Sequence, residues 1–286
     1  MDDLLLLLRT YPLLLIAVFG ITGACVGSFL NVVIHRLPAI LAYRWQTAET
    51  SDAPPDGLVT PRSRCPHCHT TIKAIHNIPI VSFLLIRGRC RYCEHPVSWR
   101  YPLVEFITAI GTIHMGLVFG FTLTTLFGLL LLWTLITLIF IDLDHHLLPD
   151  DLTLPLLWMG LLANYFHTFA TLEDAVLGAM IGYLSLWLIY HIHRLITGRE
   201  GMGYGDFKLF AAVGAWLGWQ FLPLVILLAS VVGTLFAVIN IGLKHTSKDI
   251  PIAFGPYLAV ACWVALFWGD ALLDTYLRTT NLSTLW

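Results

Sequence analysis

The sequence predicts an all-α polytopic membrane protein of about eight transmembrane helices with one small polar insert. Three observations predict it. Of 286 residues, 57% are hydrophobic and 12% charged, where a soluble domain carries roughly 25% charged residues. Apolar runs approaching the ~20 residues that cross a bilayer recur along the chain. A single long polar stretch interrupts them, and it carries four cysteines in two pairs. The formal net charge of −2 singles out no charged partner, and nothing points to nucleic acid.

The runs fall at 11–34, 102–120, 123–141, 152–168, 175–194, 207–221, 223–242 and 254–270. They divide the chain into a first transmembrane helix (1–34), an insert (35–101) and a seven-helix membrane domain (102–286). The first run reads as a retained helix, because Met1-Asp2-Asp3 is acidic where a secretory signal is basic. The 207–221 run is short, and Pro223 sits at the break before the next. Lys and Arg orient the whole. With eight crossings, fourteen of the sixteen basic residues fall in three connections on one side, expected to be cytoplasmic. Arg9 and Arg278 fall on the other, and both termini are expected to be periplasmic.

Within the insert, the Pro-rich polar stretch Gln46 to Pro61 reads as a linker. Cys65-Pro66-His67-Cys68 and Cys90-Arg91-Tyr92-Cys93 follow, with 21 residues between the pairs. That is one residue beyond the usual zinc-ribbon window. Two C-x-x-C knuckles place four thiolates around one tetrahedral ion, so Cys65, Cys68, Cys90 and Cys93 are expected to hold a structural zinc. His67, His69 and His95 are read as solvated, and Cys25 and Cys262, alone in apolar runs, as small hydrophobes.

Two acids stand at the ends of apolar runs. Asp142 closes the third, in "FIDLDHHLLPD". Asp206 opens the sixth, in "GMGYGDFKLF". A phosphate-binding loop is set aside there, because Asp206 occupies the place of the third glycine of G-x-G-x-x-G and no Gly-Lys-Ser/Thr follows. Ionisable residues at such depth default to function. Two carboxylates that meet cannot both ionise easily, so one can activate water while the other polarises a carbonyl. Gly201, Gly203 and Gly205 would let backbone approach an extended substrate. From the residues alone, two other readings stand beside this proteolytic pair. One is an ion- or proton-coupled transporter, which lacks here the matched broken helices of two-repeat carriers. The other is helix capping, by Asp206 and by Asp150 or Asp151. A metal-bearing membrane scaffold is the companion of that capping reading.

Longer strings are more specific. Gly203-Tyr204-Gly205-Asp206 matches the G-x-G-D signature of intramembrane aspartyl proteases. "GSFLNVVIHRLP" (Gly27 to Pro38), "RYPLVE" (Arg100 to Glu105), "IDLDHHLLPDDLTLPLLW" (Ile141 to Trp158), "GMGYGDFKL" (Gly201 to Leu209) and "FGPYLA" (Phe254 to Ala259) together resemble the type IV prepilin leader peptidases of Gram-negative bacteria. The likeness runs nearly end to end, including both C-x-x-C pairs. It implies Asp142 and Asp206 as the catalytic pair, with Asp144 the alternative to Asp142. It implies an inner-membrane enzyme that removes the basic leader of type IV prepilins and type II secretion pseudopilins at the cytoplasmic face. It also implies N-methylation of the new N-terminus from S-adenosylmethionine, for which Gly88 and Glu105 are the candidates. Asp144, Asp150, Asp151 and Glu200 are expected to draw the basic leader. Lys208 is expected to snorkel to the surface or tune Asp206. The small-residue pairs Gly23/Gly27, Gly178/Gly182 and Gly214/Gly218 read as helix contacts that would also permit a homodimer.

Overall fold

The structure is a computed structural model. It describes residues 12–45, 54–73, 75, 78–199, 201–242 and 253–279. The acidic start, Gln46 to Ala53 of the linker, Glu200, Lys244 and Lys248 lie outside the described residues. Among those described there are α-helices, one 3-10 turn and two isolated β-bridges. The chain divides into two compact units, 1–137 and 138–286.

Unit 1 contains α1 (Pro12–Trp45), the short α2 (Val81–Leu85), α3 (Arg100–Phe119) and most of α4 (Leu123–His145). α1 runs eleven residues beyond the expected end at 34, through Pro38. Its added turns keep Leu37 and Leu41 buried, and that burial extends a helix whose polar residues suggested a loop. α1 lies against α3 along a seam of small residues. A Cβ on Gly23 would come within 2.7 Å of Ala109 Cα, and one on Gly27 within 2.7 Å of Glu105 Cα. Asn31 Nδ2 donates to the Tyr101 carbonyl at 3.0 Å, which fixes the register at the same end. Trp133 Nε1 donates to Thr112 Oγ1 at 3.1 Å and ties α4 to α3.

Unit 2 holds the end of α4, α5 (Asp150–Tyr165), α6 (Leu172–Thr197), α7 (Tyr204–Leu217), a 3-10 turn (Trp219–Phe221), α8 (Leu222–Gly242) and α9 (Gly255–Thr279). α6 and α7 cross where Gly178 meets Gly214 backbone to backbone, and Gly182 admits Phe210 and Ala211. Gly218 is no part of that crossing. It ends α7 at φ 83°, a conformation open to glycine. The glycines at 23, 27, 178, 182 and 214 therefore all pack against neighbours within the chain.

Each of the eight predicted runs becomes a helix. Six of these are long and apolar enough to cross a membrane: α1, α3, α4, α6, α9 and the stretch Trp219–Ile239 of α8 with the turn before it. The exceptions are α5, with 16 residues, and α7, with 14. At ~1.5 Å per residue they reach about 24 and 21 Å, short of the ~30 Å hydrocarbon core. The expectation of eight full crossings is thus met by helix length in six.

Candidate active site

Asp142 does not follow the third membrane helix as expected; it lies inside α4, one turn before the end at His145. It is 5% exposed, whereas Asp144 faces outward. Two residues apart on a helix, the two acids point to different faces. Asp142 Oδ2 accepts the backbone N–H of Gly255, the first residue of α9, at 3.1 Å. A Cβ on Gly255 would lie 2.7 Å from that oxygen. The carboxylate and the helix start thus fit only because residue 255 has no side chain.

Asp206 is the third residue of α7 and 7% exposed. The capping expectation fails here. The N-cap is Gly203, with no side-chain cap hydrogen bond. Asp206 Oδ1 is buried with no hydrogen-bond partner, and Oδ2 is turned toward Gly203. Asp150 and Asp151 are not caps either; Pro149 holds that position and both acids lie in the first turn of α5.

Asp142 and Asp206 are 64 residues apart in sequence, yet the structure brings them within electrostatic reach of each other. Leu148 is wedged between the starts of α7 and α9. It would meet a Cβ on Gly205 at 2.7 Å and one on Gly255 at 3.0 Å. The close approach that Gly205 permits is taken up by Leu148, not left for a substrate. Gly201, Gly203 and Tyr204 remain exposed. Lys208 reaches an exposed partner. Its Nζ holds both oxygens of Asp150, at 2.6 and 2.7 Å, and clasps the start of α5 to α7. Sequence reasoning missed Gly255 and Leu148. "FGPYLA" and "HHLLPD" marked the places without giving the contacts.

The cysteines lie in unit 1. The two knuckles are built alike. His69 N–H donates to Cys65 O and Glu94 N–H to Cys90 O, both at 2.9 Å, and His69 and Glu94 share positive φ, 54° and 56°. All four sulfurs lie within 4.8 Å of one another, and Cys65 and Cys93 are 3.8 Å apart. Zn–S bonds of ~2.3 Å in a tetrahedron require sulfurs about 3.8 Å apart. The Thr70 side chain and backbone lower the Cys68 thiol to about 6. At Cys93 the His95 backbone N–H lowers the pKa, but burial and the other three sulfurs outweigh it and push the thiol up to about 12. Crowded sulfurs competing for protons are what a cation relieves, so this set can hold a metal such as zinc. His67 and His95 stack on each other, ring centres 4.5 Å apart.

The methylation candidates are also in unit 1. Gly88 has φ 66°, and its Cβ would lie 3.0 Å from the Phe83 ring. Glu105 is 8% exposed, and its Oε2 accepts the Ile80 N–H at 2.7 Å.

Residues 21–119 match the family model described as the bacterial peptidase A24 N-terminal domain, and residues 129–238 that of the type IV leader peptidase family. A prepilin leader peptidase/N-methyltransferase of Aeromonas hydrophila is 52% identical over 96% of this chain and 98% of its own length. Proteins of the same name are 49% identical in Pseudomonas aeruginosa, over 95% of this chain and 96% of theirs, and 44% identical in Legionella pneumophila, over 95% and 97%. No solved structure matches. A helical chain with several membrane-length spans, two buried acids meeting at one site and a four-cysteine cluster, alike over nearly its full length to these proteins, belongs to the type IV leader peptidase family and is an enzyme of the prepilin leader peptidase/N-methyltransferase group.

Proposed function

We propose that the chain cuts the basic leader from type IV prepilins and type II secretion pseudopilins with Asp142 and Asp206, and then N-methylates the new N-terminus. The observation that carries the proteolytic half is the pair of buried carboxylates in unit 2, of which Asp206 keeps one oxygen without a partner.

That asymmetry divides the work. Each carboxylate faces a backbone N–H, Asp142 that of Gly255 and Asp206 that of Gly203, and such a contact favours the charged form. Asp206 alone of the two has a buried oxygen left unpartnered, so Asp142 is the ionised base. Asp206, buried with an unpartnered oxygen, is the protonated acid. Asp142 takes a proton from water, and the hydroxide attacks the peptide carbonyl. Asp206 donates its proton to the carbonyl oxygen, giving a gem-diol. Its collapse breaks the C–N bond as the amine takes up a proton. The open stretch from Gly201 to Tyr204 offers extended backbone a place beside the acids.

The active site and the insert face the cytoplasm of the inner membrane, with both termini periplasmic. The support is the charge count: three connections hold fourteen of sixteen basic residues when all eight helices cross. α5 and α7 then cross as short helices. Asp144, Asp150, Asp151 and Glu200 draw the basic leader, Asp150 while also paired with Lys208. Zinc at Cys65, Cys68, Cys90 and Cys93 holds the insert as a module of its own and supplies folding free energy. S-adenosylmethionine, when bound, supplies an electrophilic methyl that the new amine displaces from sulfur.

The test is cleavage of a prepilin in membranes by wild type and by the single variants Asp142→Asn, Asp206→Asn and Asp144→Asn, at matched protein levels. The first two should fall by about 10²–10⁴-fold, and Asp144→Asn should stay within about twofold. Full activity in either of the first two removes that acid from the pair.

A further inference from the structure

The outward face of α2 is built wrongly for water. Val81, Leu84 and Leu85 stand at i, i+3 and i+4 and so share one face. All three are exposed, Leu84 by 64% and Leu85 by 75%. Phe83 is the residue that α2 buries, edge-on against Trp99 with ring centres 4.7 Å apart. A surface helix normally turns polar residues outward, and α2 turns leucines. Ile78, just ahead of it, and Trp99, just ahead of α3, are exposed as well.

The level at which α2 sits says what meets that face. Ile80, the N-cap of α2, donates its N–H to Glu105 Oε2 at 2.7 Å. Glu105 is the sixth residue of α3, about 8 Å along that helix from Arg100. α3 has 20 residues. At ~1.5 Å per residue it needs its whole length to cross a hydrocarbon core of ~30 Å. The Ile80–Glu105 bond therefore pins α2 beside a membrane helix, at the rim of the core.

Charge agrees with that level. From Ile78 to Cys93 the chain has three arginines, Arg87, Arg89 and Arg91, and no acid. All three are exposed. Guanidinium groups pair with phosphate oxygens, and tryptophan is favoured at the height of lipid headgroups. An apolar face with arginines and a tryptophan at its edge is the composition of a segment lying in the membrane interface.

We propose that α2 is an in-plane membrane anchor, with Val81, Leu84 and Leu85 among the outer acyl carbons and Arg87 and Arg89 at the phosphates of anionic phospholipid. The insert is then held to the bilayer at a third point besides α1 and α3, which fixes the tilt of the cysteine module over the surface. The anchor holds on whichever side of the membrane the insert lies, and prepilin cleavage is no part of it.

Photocrosslinking tests it. The full-length, metal-loaded protein carries p-benzoylphenylalanine at position 85 and is reconstituted in vesicles of phosphatidylethanolamine and phosphatidylglycerol, with and without a prepilin. The expected product is a phospholipid adduct, identified by mass. An adduct with the prepilin or with a second copy of the chain, or no adduct, overturns the anchor. In vesicles of phosphatidylcholine alone the adduct yield should fall at least about twofold, because interfacial arginines favour anionic lipid. Arg87→Gln with Arg89→Gln should make the two vesicles equal. A wild-type yield that ignores lipid charge overturns the phosphate contacts. Leu84→Asp with Leu85→Asp puts charge into the interface. With zinc content and prepilin cleavage retained as the check on folding, trypsin added from the insert's side should cut this variant after Arg87 and Arg89 at least about tenfold faster than wild type. Equal digestion of the two overturns the anchor.

Discussion

The two ends of α7 are finished in opposite ways. At the C-terminal end, Asn164 of α5 is fully buried. Its Nδ2 donates to the carbonyls of Ala215 and Trp216 at 2.8 and 2.9 Å, and its Oδ1 accepts from the N–H groups of Phe169 and Ala170 at 3.1 and 2.9 Å. Trp216 Nε1 donates to Leu156 O at 2.9 Å. The last carbonyls of a helix have no partners of their own, and here side chains supply them. At the N-terminal end no side chain caps the helix, and Asp206 keeps one buried oxygen bare. A buried polar atom without a partner costs about 1–3 kcal/mol. One end has its polar groups satisfied by side chains, and the other leaves a buried carboxylate oxygen without a partner.

Breaking the satisfied end should have the largest effect on stability. Asn164→Leu removes the partners of four backbone groups at once. It should lower unfolding stability in detergent by about 3 kcal/mol, with cleavage per folded molecule unchanged. Chemical denaturation against an activity titration separates the two. At the other end, Gly255→Ala keeps the N–H but drives a methyl against Asp142 Oδ2. A displacement of that size costs about 10–100-fold in rate, read as kcat on prepilin, while stability should change little. The smallest effect sharpens the contrast most. Asp206→Leu replaces a bare acid by an apolar side chain, a change that is neutral or stabilising in buried sites. Its stability should rise by about 1 kcal/mol while cleavage is lost. A destabilised Asp206→Leu would mean that the acid is structural after all.

Much of this was legible in the sequence, and the rest was hidden for a reason. Apolar runs located eight of the nine described α-helices and missed only the short α2, because burial against lipid or protein leaves a local signature. The two acids stood out because a charge at the edge of an apolar run is costly. The cysteine cluster was legible because the spacing of its ligands is itself the geometry. Gly255 was not. Its contact with Asp142 spans 113 residues, and a backbone N–H carries no side-chain signal. The Lys208–Asp150 clasp spans 58 residues and was equally invisible, so both residues were given other tasks. Capping was misassigned because acids in a first turn resemble caps. Here Pro149 and Gly203 hold the cap positions.

The shortness of α7 has a consequence of its own. A lipid-facing helix of 14 residues would suffer hydrophobic mismatch, and the bilayer would have to thin around it. Eleven of those residues are buried by protein, so the length of α7 answers to its neighbours and not to acyl chains. Asp206 rides on a helix whose solvent is mostly the rest of the protein. Membranes of different lipid length press on the outer helices first, and the acid's surroundings are insulated from them.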